Sequence, residues 1–525
     1  MSAVTATPQT TAPPAGTDAV GPAFSILFPR SHQALVHTAP DCFADLNLDQ
    51  LVPALVARAG GAPVGDYLST PLGSPEAVGY RLAVFADLLT APLRTCLADF
   101  THRVDWAHRL TDGAGSQHYE IGRQATLLRA GLHYVDTVIA VTDALAADPP
   151  ASPGLRRAAA WLAGYRASSG FDRLRADAVR TRDDLDRVEY RLRIHGPTIE
   201  AGLPRDEPDQ VASVLATFAR FGAFRPSERH KVPEPPIRSM NHIEAAVSAM
   251  AARLYPDQFG ALARFATAHA DFIDHQVAAF ARELTFALAW LDVLDDAGAQ
   301  GLPSCLPSVE ATHHLAADQV YDLVLALKRQ GAGVVTNDLQ LAADERILIV
   351  TGPNQGGKTT FARTVGQLCY LASLGLPVPA RRATVPLADH VLTHFQRGEN
   401  TADQRGGLED ELVRIRDILA VAGPSSVVVV NEIFTSTSLS DAVALSTRML
   451  KELDARQCLT VWVTFLDELV QVSPHIVSLV SQVDPEDPAI RTFKVLPQPP
   501  DGLAHAIALA GKHRLTGADL DRRLA

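Results

Sequence analysis

The chain has 525 residues, 47% of them hydrophobic and 20% charged, an ordinary balance for a globular protein of several domains. The net charge of -12 argues against a surface coated for nucleic-acid binding but leaves room for a local basic patch. Cys42, Cys96, Cys305, Cys369 and Cys458 are scattered without a C-x-x-C pair, and no apolar run or basic leader suggests a membrane span or signal peptide, so a cytoplasmic chain with no membrane partner is expected.

Residues 1–22, rich in Ala, Thr and Pro, read as a disordered tail. Folded sequence is expected from Phe24. Between 43 and 110, short helical patterns alternate with Pro/Gly breaks; Tyr80, Val84 and Leu88 fall at helical spacing, and Leu46, Leu51 and Leu55 less regularly. The helical grammar continues through an arginine-rich stretch from Arg156 to Arg193, interleaved with acids from Asp172 to Glu189. Two readings stay open there. One is a solvated helix laced with ion pairs; the other is a phosphate-backbone surface using Arg173, Arg175, Arg180 and Arg182. Tyr190–His195 alternates, turns at Gly196-Pro197 and resumes at Thr198, the pattern of a short β-hairpin. Residues 223–238 form a Pro-rich, basic connector. Phe272, Val277, Phe280, Leu284, Leu288 and Leu291 then make one apolar helical stripe, expected to be core. Gly301–Pro307 is a natural boundary.

From about Ala311 strands and helices alternate, implying a parallel sheet. Strands are expected at Ile347–Val350, Val427–Val430 and Leu459–Thr464, with helices beginning near Lys358, Ser440 and Asp467. Between the first strand and its helix lies Gly352-Pro353-Asn354-Gln355-Gly356-Gly357-Lys358-Thr359-Thr360, which fits the phosphate-binding loop G-x-x-x-x-G-K-[ST]. Its glycines let backbone N–H groups surround phosphates, Lys358 can reach the β and γ phosphates, and the Thr359 hydroxyl can bind Mg²⁺, so ATP with Mg²⁺ is the expected ligand pair.

Ser426–Glu432 is an apolar strand ending in Asn431 and Glu432, a Walker B arrangement. The first polar residue holds Mg²⁺ through its water shell, and Glu432 suits the general base that polarises water. Asn431 brings no negative charge, so weaker metal binding or slower turnover than with Asp is expected. Thr435–Ser438 can cap the next helix or face a partner subunit's nucleotide. Gln404–Leu412 places a glycine pair before an acidic helix.

VTNDLQL (335–341), TGPNQGGKTT (351–360), VPA (378–380), NEIFTSTS (431–438), VTFLDEL (463–469) and GLAHAIALAGKHRLT (502–516) together resemble, in order and spacing, the ATPase domain of the MutS mismatch-repair family. The resemblance is strong over about 330–520. FADLNLDQLV and YRLAVFADLL resemble, more weakly, the start of the helical core of short MutS-related proteins. It implies an α plus α/β protein: a helical core, lever and clamp-like region (23–310) followed by an ABC-like P-loop α/β ATPase domain (311–525). It further implies a homodimer that closes on DNA with ATP, Lys358 on the phosphates, Thr359 and Asn431 at Mg²⁺, Glu432 at the water and Asn337 near the adenine. The arginine-rich stretch and the hairpin would fall in the lever–clamp region.

The chain also departs from that pattern. Asn431 stands where the family has Asp, Phe465 where it has a γ-phosphate-sensing His, and Gly406-Gly407 where its signature segment has Ser-Thr. Three losses around one centre favour a slow, switch-like ATPase. None of the 19 Phe residues is followed two positions later by Glu, so the Phe-x-Glu wedge of mismatch sensors is absent. The stretch before residue 110 is short for that module, and no nuclease domain is expected after the ATPase domain. The expected function is therefore that of an ATP-dependent DNA-binding protein of the MutS type, slow hydrolysis driving dimer closure on DNA in mismatch repair without the classical mismatch-recognition module. The alternative is a non-hydrolysing nucleotide-gated dimerisation switch or scaffold without mismatch recognition.

Overall fold

The computed structural model describes residues 22–30, 34–196, 198–204, 240–311, 314–396, 407–435, 437–487 and 490–500. The expected tail (but for its last residue), the connector at 223–238, residues 404–406, Ser436 and the motif at 502–516 lie outside the described residues. The chain divides into two units, one holding Thr95–Pro149 and Arg157–Ala281, the other Phe24–Arg94, Pro150–Arg156 and the chain from Arg282 onward. Among the described residues, no helix is long and apolar enough to cross a membrane. All five cysteines are free thiols.

The first unit is helical. Helices Glu120–Ala147, Ser169–Leu185 and Pro256–Ala268 pack together. Ser169–Leu185 is amphipathic at helical spacing: Phe171, Leu174, Ala178 and Thr181 are buried, and the charged residues take the opposite face. Ser168 caps its start by accepting from the Phe171 N–H at 3.2 Å. Tyr134 is fully buried and its hydroxyl meets that of Tyr165 at 3.0 Å, which satisfies both polar ends inside the core. Beyond the Ser169–Leu185 helix, strands β1 (Arg191–His195) and β2 (Thr198–Gly202) pair antiparallel, with Gly196 at φ +55° in the turn. This is the hairpin expected from the alternation.

The second unit is α/β. Strands β3 (Ser308–Glu310), β4 (Ala316–Val320), β5 (Asn337–Gln340) and β7 (Arg382–Pro386) form a four-stranded sheet in the order β3-β7-β4-β5. Strands β6 (Ile347–Thr351), β8 (Val391–Phe395), β9 (Val427–Asn431), β10 (Leu459–Val463), β11 (Ile476–Val483) and β12 (Arg491–Pro497) form a second sheet, ordered β12-β11-β6-β10-β9-β8. All neighbours in it are parallel except β11 and β12. Every residue of β6, β9 and β10 is buried, as expected of parallel strands covered on both faces. The expected strands at 347, 427 and 459 are all present. Helices Lys358–Ser373 and Leu439–Ala455 follow β6 and β9, whereas the helix expected near Asp467 is only a short 3₁₀ turn, Asp467–Gln471. Ser438 accepts from the Asp441 N–H at 3.2 Å, so the capping reading of that serine holds.

Helix Lys358–Ser373 is buried along nearly its whole length, packed on β9 and β10 of the six-stranded sheet and against helix Cys42–Leu46. Gln367 donates to the Leu46 carbonyl and the Asp322 carboxylate, both at 2.9 Å, and accepts from the Leu323 N–H. A Cβ at Gly366 would lie 2.5 Å from Leu46 Cδ2, so glycine there allows the close approach. Arg81, fully buried, donates to the carbonyls of Leu27 (3.1 Å) and Leu374 (2.7 Å) and stacks over Phe28. Desolvation lowers its guanidinium to about 10, with Glu283 pulling the other way.

Candidate nucleotide site

At the C-terminal edge of the six-stranded sheet, where ligands of open parallel sheets bind, β6 runs into the glycine loop and then the Lys358–Ser373 helix. The loop turns through positive φ at Gly352 (+114°), Gln355 (+60°) and Gly357 (+92°). A Cβ at Gly352 would sit 2.7 Å from Ser481 Oγ and 3.0 Å from the Ser481 backbone, because β11 backs directly onto the loop. Gly357, at the N-cap, makes no side-chain bond to the first-turn N–H groups, which suits an anion-binding helix start.

Lys358 is 4% exposed. Its Nζ donates to the Gly352 carbonyl at 2.9 Å and the Pro353 carbonyl at 3.1 Å, and lies 4.2 Å from the centre of the Phe465 ring. Burial lowers the ammonium below the ordinary lysine range; Glu432 opposes that and Arg491 adds to it. The Thr359 hydroxyl donates to Asn431 Oδ1 at 2.9 Å, bringing together the two residues named for Mg²⁺. Glu432, next in the chain, has φ +51°, a left-handed conformation uncommon outside glycine. Its N–H donates to the Val463 carbonyl at 3.0 Å, and its side chain lines the same cleft as Lys358 and Thr359.

That cleft has a volume of about 570 Å³. Gly356, Thr360, Asn354 and Gln355 line it, as do Asn337 and Phe465. The Asn337 amide is committed to β12, donating to the Phe493 carbonyl (3.2 Å) and accepting from the Val495 N–H (2.8 Å), so it ties the two sheets together beside the cleft. Phe493, at φ +58° and 42% exposed, forms a wall that sequence reasoning missed. Sequence reasoning also missed Arg491, whose Nε donates to the Asn354 carbonyl at 3.1 Å. Neither belongs to a local motif; both reach the loop through the β11–β12 pairing. Glu411 was missed as well. Its carboxylate accepts from the Phe434 N–H at 3.1 Å, where φ is +60°, and steadies the turn after Glu432. Among the described residues no group of three or more His, Cys, Asp or Glu could hold a metal by itself.

In the other unit, the four arginines named for phosphate contact are all exposed on the polar face of Ser169–Leu185. Arg182 pairs with Asp183 at 2.7 Å and Arg180 with Asp177 at 4.0 Å, so half of the set already has acidic neighbours on its own helix.

Residues 348–491 match the family model for MutS domain V. The DNA mismatch repair protein MutS of Granulibacter bethesdensis is 32% identical over 195 residues, which is 36% of this chain and 21% of that protein. The protein of that name from Nitratidesulfovibrio vulgaris is 32% identical over 150 residues, 29% of this chain and 17% of the relative. One from a Thermotoga species is 31% identical over 141 residues, 27% and 18% of the two. The chain thus spans about a fifth of the length of the curated relatives it matches. It is through this C-terminal stretch, which carries the glycine loop and the Asn431-Glu432 strand end, that the chain is similar to the MutS family.

Proposed function

We propose that the cleft binds ATP with Mg²⁺ and hydrolyses it slowly, and that ATP closes a homodimer on DNA. The observation that carries the nucleotide reading is the meeting of Lys358, Thr359, Asn431 and Glu432 at one sheet edge, each from the element its motif demands. Two neutral oxygens, Thr359 Oγ1 and Asn431 Oδ1, stand side by side and can take up Mg²⁺ or its water shell, more weakly than a carboxylate would, with the substrate phosphates supplying the charge. Thr359 and Asn431 would hold the ion, which when bound supplies charge neutralisation to the phosphates. Lys358 and the loop N–H groups bind and orient the phosphates, and Glu432 takes the proton from the attacking water. The DNA part of the proposal draws on the names of the relatives and on the exposed arginine face, and dimer closure on the family pattern. A shift between open and closed states requires nucleotide to bind one of them better.

A second reading, a nucleotide-gated switch without turnover, is favoured by Asn431 and by the apolar Phe465 facing the cleft. Steady-state ATP hydrolysis, with and without homoduplex and mismatched duplex, separates the two. Glu432→Gln serves as background and should lose at least ~100-fold in turnover. Asn431→Asp should raise turnover roughly fivefold, the gain of a charged over a neutral hydrogen-bond acceptor. Wild-type turnover no higher than that of Glu432→Gln, with ATP still bound, would leave the switch; no ATP binding would end both readings.

A further inference from the structure

An ammonium has three N–H donors to place. For Lys358 the chain itself supplies acceptors on three sides: the Gly352 carbonyl, the Pro353 carbonyl and the face of Phe465. The first two are part of the loop. The third comes from the turn after β10, where the Thr464 N–H donates to the Val350 carbonyl (3.1 Å) and the Thr464 hydroxyl accepts from the Leu466 N–H (3.0 Å). Those two bonds fix the residues on either side of Phe465, yet Phe465 is 51% exposed. A large apolar side chain held at its root and half in solvent is free to swing while its backbone stays put. Phe465 and Lys358 line one cleft with Glu432.

We infer that Phe465 is a removable cover on the Lys358 ammonium, and that it sets the affinity of the site for phosphate-bearing ligands. A phosphate reaching Lys358 must first displace the ring, so its binding is weakened by the cation–π contact it breaks. Once displaced, the ring offers no hydrogen bond to the phosphate, so the loss is not recovered at the same residue. This rests on the nucleotide reading above and adds a residue that tunes it.

The test is ATP·Mg²⁺ binding by calorimetry on the full chain for wild type, Phe465→Leu and Phe465→Tyr, with inorganic pyrophosphate as a second ligand. Leu keeps apolar bulk and removes the π face; Tyr keeps the face. Phe465→Leu should bind both ligands ~3- to 10-fold more tightly and associate faster, while Phe465→Tyr stays within about twofold of wild type. Unchanged or weaker binding by Phe465→Leu, or equal behaviour of Leu and Tyr, would overturn the cover. If wild type and both variants bind neither ligand, it is the nucleotide reading that fails, and the cover falls with it.

Discussion

At the N-terminal edge of the six-stranded sheet, Asp454 gathers Arg346 (2.9 Å), His475 (2.9 Å) and Ser473 (2.7 Å), tying the start of β6, the end of helix Leu439–Ala455 and the approach to β11. At the opposite edge β6 and β9 run into residues with positive φ, namely Gly352, Glu432 and Phe434, and the buried hydroxyls of Thr351 on β6 and Ser481 on β11 have no hydrogen-bond partner among the described residues. One edge is closed by side-chain bonds, and the other keeps backbone strain and unused polar groups. Strain of this kind persists where surrounding structure over-determines it, and it gathers at ligand sites. The contrast shows that the sheet is anchored at the end remote from the cleft, leaving the cleft end able to meet a ligand.

The strongest way to break that contrast is Gly352→Ala. The left-handed φ and the 3.0 Å approach of the Ser481 backbone both oppose a side chain, and strain of about 1–3 kcal/mol is expected. ATP affinity should fall at least about tenfold, read by titration, while the far-ultraviolet circular dichroism spectrum stays that of wild type. Retained affinity would mean that the loop is not held as described.

At the anchored edge, Asp454→Asn should cost about 1–2 kcal/mol of stability and leave ATP affinity alone, measured as a lower thermal midpoint beside an unchanged Kd. Burial by itself would raise the Asp454 carboxyl, but bonds from Ser473, Arg346 and His475 outweigh it and hold the group below its usual range. Since the folded value lies below the unfolded one, the stabilisation is complete above about pH 4 and is lost as pH falls through the folded value. The gap in midpoint between wild type and Asp454→Asn should stay constant from about pH 7 to 5 and narrow only below about 4. A gap closing between 7 and 5 would assign the bond to another titrating group.

The smallest effect is expected at Ser481. Removing a buried hydroxyl that has no partner among the described residues, as Ser481→Ala does, should stabilise the protein by up to about 1 kcal/mol and shift ATP affinity less than about twofold. A large affinity loss would turn this hydroxyl into a ligand contact.

The cleft was legible where motif and strand coincide. Ile347–Thr360 announces itself because an apolar run, a glycine turn and Lys-Thr are adjacent in sequence. The four-stranded sheet was not, since β3, β4 and β7 are short, partly polar and paired across long stretches of chain. Phe465 could be noted as a missing histidine, but its seat over Lys358 depends on β10 lying beside β6. Arg491 and Phe493 reach the loop in the same non-local way.

The seat that Leu46 takes beside Gly366, and the grip of Gln367 on the Leu46 carbonyl, bear on how this protein can be cut. A fragment beginning at residue 311 would carry every motif of the cleft yet strip the cover from the Lys358–Ser373 helix. It would leave Gln367 and Tyr370 short of the acceptors on Leu46 and Leu68 and Arg363 short of the Asp45 carbonyl. The shortest piece that keeps this helix intact must therefore retain two separated parts of the chain, and proteolytic trimming from the front end should reach the cleft long before it reaches the glycine loop.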